Sequence, residues 1–165
     1  IDKAMDDGCT PLFMASQKGH VEVVSVLLKQ GADIDKAADD ACTPLYVASQ
    51  EGHVDVVSVL LEQAADIDKA MDDGCTPLCI ASERGHVEVV SVLLEQGADI
   101  DKAMDDGCTP LCIASERGHV EVVSVLLEQG ADIKKAWQGQ TPLQIARHNN
   151  HTETIRLLEL ASALK

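Results

Sequence analysis

A three-residue phrase, Thr-Pro-Leu, returns along this chain at residues 10–12, 43–45, 76–78, 109–111 and 141–143, at intervals of 33, 33, 33 and 32 residues. A period of that length means that each unit is one supersecondary element that covers its apolar face only by stacking on its neighbours. The chain must therefore fold as a solenoid. The central units are near copies, since residues 65–100 are identical to residues 98–133. Such repetition favours an extended contact surface over a unique catalytic centre.

Residues 74–97 show how one unit is built. Thr76 is a good helix N-cap, and Pro77 follows at the first helical position, where its missing N–H is harmless and its φ is already helical. That helix is expected to run to Arg84, with Gly85 as the left-handed residue that ends it. A second helix is predicted from Val87 to Gln96. Glu88, Ser91 and Glu95 form its polar stripe, Val89, Val90, Val92, Leu93 and Leu94 fill the remaining arc, and Gly97 closes it. The stretch from Ala98 to Gly107 is polar and turn-rich, so it reads as an extended finger leading into the next Thr-Pro-Leu.

These residues resemble the ankyrin repeat. The words that carry the likeness are Gly-x-Thr-Pro-Leu, Ala-Ser-x-x-Gly-His, Val-Val-x-x-Leu-Leu and Gly-Ala-Asp-Ile, and they cover nearly the whole chain at the family's spacing. The resemblance implies an all-α solenoid of helix-turn-helix units joined by finger loops. It would form one domain over residues 1–165, with units at about 5–37, 38–70, 71–103, 104–136 and 137–165, the last a C-terminal cap. The chain departs from the family in two columns. Phe13, Tyr46, Cys79, Cys112 and Gln144 stand where the family usually has His after Thr-Pro-Leu, and Asp35, Asp68 and Asp101 stand where it usually has Asn.

The irregular units are informative. In the last unit Arg147, Thr152 and Glu159 replace the internal Ser115, Val120 and Leu127, as a terminal unit with one wet face requires, and Thr141 with Gln144 fits a capping box. The first unit keeps the internal pattern at Met14, Val21 and Val23. An exposed apolar end is therefore expected, one that continued into a longer array or that associates with another copy. In the second unit Ala41 and Ala64 stand where neighbouring units have Gly; if φ is positive there, each Ala costs roughly 1 kcal/mol.

The chain carries a net charge of −15, and every Asp except Asp55 lies in the fingers and turns. One reading is that these Asp shape turns and aid solubility, with Asp33, Asp66 and Asp99 serving the repeat's own hydrogen bonds. The other is that Asp6, Asp7, Asp39, Asp40, Asp72, Asp73, Asp105 and Asp106 steer a basic partner. A phosphate backbone would be repelled, so DNA and RNA are excluded as partners. No apolar run approaches the ~20 residues that span a bilayer, so no membrane partner is expected.

Three tempting chemistries fail on spacing. The Asp66 to Gly74 segment looks like a calcium loop, but an EF-hand needs Gly and Glu where Met71 and Pro77 stand. Cys75 with Cys79, and Cys108 with Cys112, are spaced more widely than usual zinc pairs and have a helix cap between them. His20, His53, His86, His119 and His151 form one column, and a group repeated in every unit is a structural element rather than a catalyst. No cofactor, no metal site and no enzyme activity are expected. Equivalent cysteines about 10 Å apart are too distant for disulfides, which predicts a reduced, intracellular and cytoplasmic setting.

Residues four apart on the first helix share a face, so Cys9, Phe13 and Gln17 align, as do Cys42, Tyr46 and Gln50, Cys75, Cys79 and Glu83, and Cys108, Cys112 and Glu116. This is a candidate groove floor, although Phe13 and Tyr46 equally suit packing between units. Trp137, alone in the last finger, is the preferred anchor for a partner, with shielding of the C-terminal stack as its other reading. The family's concave surface, built from fingers and the inner face of the first helix, further implies Gln17, Lys18, Gln50, Glu51, Glu83, Arg84, Glu116, Arg117, His148 and Asn149 as contacts. Together these residues predict a non-enzymatic interaction module that presents an acidic surface to a basic protein or peptide. The alternative is a structural spacer within a longer array.

Overall fold

The structure, a computed structural model, describes residues 1–164. Its described residues form five helix pairs: α1 (Pro11–Gln17) with α2 (Val21–Lys29), α3 (Pro44–Glu51) with α4 (Val54–Glu62), α5 (Pro77–Arg84) with α6 (Val87–Glu95), α7 (Pro110–Arg117) with α8 (Val120–Glu128), and α9 (Pro142–His148) with α10 (Thr152–Ala163). Each odd-numbered helix starts as the sequence requires. The Thr76 hydroxyl accepts the Cys79 N–H at 3.2 Å, and Thr10, Thr43 and Thr109 repeat the bond in their own units. In the last unit Thr141 and Gln144 close a full capping box. The second helix ends one residue earlier than expected, because Gln96 already serves as the C-cap of α6.

The helices lie in two layers. Odd-numbered helices pack on odd-numbered neighbours, and even-numbered on even-numbered, so the main contacts of each pair among the described residues are with the pairs beside it. Between the layers runs one continuous core, which contains Leu12, Leu45, Leu78 and Leu111 together with Val24, Val57, Val90 and Val123. A second apolar column runs on the finger side of the odd-numbered helices and contains Phe13, Tyr46, Cys79, Ile113 and Ile145. Leu, Val and Ala make up the first column, and Cys and Ile most of the second, which keeps the helices close where larger side chains would hold them apart.

Polar ladders register the units. His53, His86, His119 and His151 bond through Nε2 to the backbone carbonyls of Gln17, Gln50, Glu83 and Glu116 in the preceding unit, at 2.8–2.9 Å. Asp35, Asp68 and Asp101 accept the backbone N–H of Asp66, Asp99 and Asp132 of the next unit, at 3.0–3.2 Å. Asp33, Asp66 and Asp99 each accept an N–H two residues on, which is the turn-forming role expected of them. The Lys69, Lys102 and Lys135 ammonium groups reach back to the carbonyls of Asp35, Asp68 and Asp101.

The two ends differ as the sequence suggests. Arg147 and Glu159 pair at 2.6 Å on the trailing face, where internal units carry Ser and Leu. On the leading face Val23 is 48% exposed, whereas its counterparts Val56, Val89 and Val122 are fully covered. No described helix is long and apolar enough to cross a membrane.

Candidate partner-binding face

Each internal finger closes with the same five-residue turn. In the third unit Met71 N–H bonds to Cys75 O and Gly74 N–H to Met71 O, both at 3.0 Å, with Gly74 at φ +81°. The side chain of Asp73 then accepts the Cys75 N–H at 2.9 Å, and Asp7, Asp40 and Asp106 do the same for Cys9, Cys42 and Cys108. The N–H of Cys9 holds the Asp7 carboxyl below the usual range. These four Asp are turn residues. Their neighbours Asp6, Asp39, Asp72 and Asp105 are exposed, and their carboxylates accept no hydrogen bond among the described residues.

The last finger is built differently, which accounts for the shortened interval before Thr141. Trp137 and Gln140 exchange both backbone bonds, at 3.0 and 2.9 Å, around Gln138 and Gly139, both at positive φ. This two-residue primed turn has one residue fewer than the internal turn with its bulge. The Trp137 indole N–H donates to Asp106 of the preceding finger at 2.9 Å, while the half-buried ring packs against the second apolar column.

Four expected contacts are corrected by burial. Phe13, Tyr46, Cys79 and Cys112 are at most 7% exposed and sit in the second column, between units, so their side chains form core under the groove and do not meet a partner there. The reading of Phe13 and Tyr46 as packing residues is the one the structure bears out. Gln17, Gln50, Glu83 and Glu116 are half-buried along the same helices, with Lys18, Glu51, Arg84, Arg117, His148 and Asn149 exposed beside them. Arg117 bonds Glu83 at 2.6 Å, tying the third and fourth units and neutralising both charges.

Five of the six thiols are buried. Burial pushes Cys42 up to about 12 and raises Cys108 and Cys112; Cys79 is raised by its hydrogen bond to Cys75 and then by burial. Cys75 alone is lowered, because Cys79 and then the Tyr46 hydroxyl donate to its sulfur; it is only 4% exposed. All six cysteines are free, and no group of three or more His, Cys, Asp or Glu among the described residues could hold a metal ion.

A cavity of about 250 Å³ opens between the last finger and α9, lined by Glu116, Trp137, Gln138, Gln140, Ile145, His148 and Asn149. Glu116, Trp137, His148 and Asn149 are expected contacts from the sequence, whereas Gln138, Gln140 and Ile145 are not. The signal for the two glutamines was the lost residue, which marks this finger as built differently from the others.

Stacked helix pairs with finger loops, held in register by a histidine column, define a helical-repeat scaffold. The profile described as Ankyrin repeats (3 copies) matches residues 1–71 and 68–136, and the single Ankyrin repeat profile matches residues 138–163. The chain belongs to the ankyrin-repeat family, whose members are in general protein-protein interaction modules. No curated protein matches the chain.

Proposed function

We propose that this chain binds a basic protein or peptide along its fingers and odd-numbered helices, without chemistry of its own. One observation carries the reading: Asp6, Asp39, Asp72 and Asp105 put an exposed carboxylate, unused by the fold, on each finger tip except the last. An Asp needed only for the turn would be spent on it, as Asp7, Asp40, Asp73 and Asp106 are. With units about 10 Å apart and a Debye length of about 8 Å at physiological salt, the four potentials overlap in part and attract a long cation. The six free thiols suit a reducing compartment.

The test is binding of a short fluorescent arginine-glycine peptide, with a glutamate-glycine peptide as control. Binding is expected at low salt and loss of most of it at about 1 M NaCl, where the Debye length falls to about 3 Å. Binding held equally at both salts would remove the steering role. The exact copy of residues 65–100 in 98–133 favours a second reading, a spacer whose units carry no partner. For a spacer, replacing Asp72 and Asp105 by Ser changes nothing. The leading face, with Val23 and Val26 exposed, supports self-association as a separate contact.

A further inference from the structure

We infer that the cavity beside Trp137 is a socket for one arginine side chain of the partner. The inference rests on the proposal that the partner is basic and narrows it to a side chain and a place. At about 250 Å³ the cavity falls below the ~300–1,000 Å³ of ordinary ligand pockets, which suits a single side chain.

Three features select a planar cation. The indole is fixed before anything binds: its backbone is closed in the two-residue turn, and its N–H is committed to Asp106 at 2.9 Å. What Trp137 still offers a ligand is its π surface, on which a guanidinium stacks. Glu116 supplies the charge. Its nearest cation, Arg117, stands 4.0 Å away and is already bonded to Glu83 at 2.6 Å, so the Glu116 carboxylate keeps most of its charge at the cavity wall. The side-chain oxygens of Gln138 and Gln140 complete a rim that can accept the remaining N–H groups. His148, on α9, is the one basic side chain among the lining residues.

The combination occurs once in the array. Met71 and Met104 hold the position of Trp137 in the third and fourth fingers, and a thioether lacks the indole's quadrupole. The end finger therefore holds an anchor, and the tips before it a steering field.

Trp137 is the single tryptophan, so its emission reports this site alone. The intact chain is titrated with N-acetyl-arginine methylamide and with its citrulline and norleucine counterparts. A saturable emission change is expected with the arginine compound only, and Glu116→Gln should weaken it about ten-fold or more, as loss of a charge-assisted bond would, without moving the thermal midpoint. No saturable response, an equal response to citrulline, or unchanged affinity in Glu116→Gln overturns the socket. Salt-sensitive binding of the arginine-glycine peptide that survives Glu116→Gln would remove the socket and leave the acidic-finger reading standing. Loss of all peptide binding in the unsubstituted chain would remove both.

Discussion

Two alanines and a histidine column show how single residues set the strength of the junctions. Ala41 and Ala64 have φ of +64° and +65°, the left-handed region where L-residues are strained. They are not equivalent. In the first and third fingers a Cβ on Gly8 or Gly74 would lie 2.8 Å from the backbone nitrogen of Asp39 or Asp105 in the next finger. Those nitrogens donate to Asp7 O and Asp73 O at 3.2 and 2.9 Å. Ala41 carries a real Cβ at that place, and the matching bond from Asp72 to Asp40 is missing among the described residues. No such crowding arises at Ala64, since its glycine counterparts Gly31, Gly97 and Gly130 face open space. Ala64→Gly should therefore stabilise by ~1 kcal/mol, and Ala41→Gly by about twice that once the finger bond forms. Thermal melts of the two variants check the order; equal shifts would mean the bond adds nothing. The reverse change at a turn glycine should be costly. A Cβ on Gly52, at φ +77°, would sit 2.8 Å from Nδ1 of His86, the ring that bonds to Gln50 O. Gly52→Ala is expected to cost ~2 kcal/mol or more and to lower the midpoint by several degrees, read in the same melts. Asn150 takes the same backbone at φ +60° in the last unit, where no following histidine presses on it.

At the scale of the helix pair, stability rests on thin apolar columns that include four buried thiols pushed upward. The sign of the pH effect follows from that direction. A free thiol ionises near 9.0, whereas Cys42 in the folded chain holds its proton until about 12. Between those values the unfolded chain loses the proton and the folded chain keeps it, so stability is lost as pH rises above 9.0. Chemical denaturation at neutral pH and near pH 10.5 should show this loss, and Cys42→Ala should reduce its slope; a flat profile would contradict the burial account. Much of each pair was legible in the sequence. Thr76, Pro77 and Gly85 fix one helix by local geometry alone, without reference to neighbours. The fate of the Phe13 column was not legible, because spacing of four shows that side chains share a face and not whether the next unit covers it. The split between paired Asp was half legible. An Asx turn takes the N–H two residues on, which assigns Asp40 to Cys42 and leaves Asp39 free. The Trp137 cavity depends on two units and a shortened turn at once, so no local pattern announces it.

The whole molecule is a stack of helix pairs with unlike ends and a charged edge. The trailing face is closed by Arg147 and Glu159, an exposed pair whose contribution to stability is small, ~0.2–1 kcal/mol. Its larger role is to keep that face wet. Glu159→Leu restores the internal residue type and should leave the thermal midpoint nearly unchanged while making the chain associate as concentration rises, a shift that sedimentation velocity would detect. A monomer at every concentration would deny the cap this role. At the other end, Val23→Ser with Val26→Ser should reduce any self-association of the unsubstituted chain, since these two valines are about half exposed there. The most direct measurement compares two quadruple variants for peptide affinity and thermal midpoint together. Replacing Asp6, Asp39, Asp72 and Asp105 by Ala should weaken the arginine-glycine peptide about ten-fold or more at low salt and leave the midpoint unchanged. Replacing Asp7, Asp40, Asp73 and Asp106 by Ala should lower the midpoint, because four turn N–H groups lose their acceptors. A tip variant that binds the peptide as tightly as the unsubstituted chain would contradict the account.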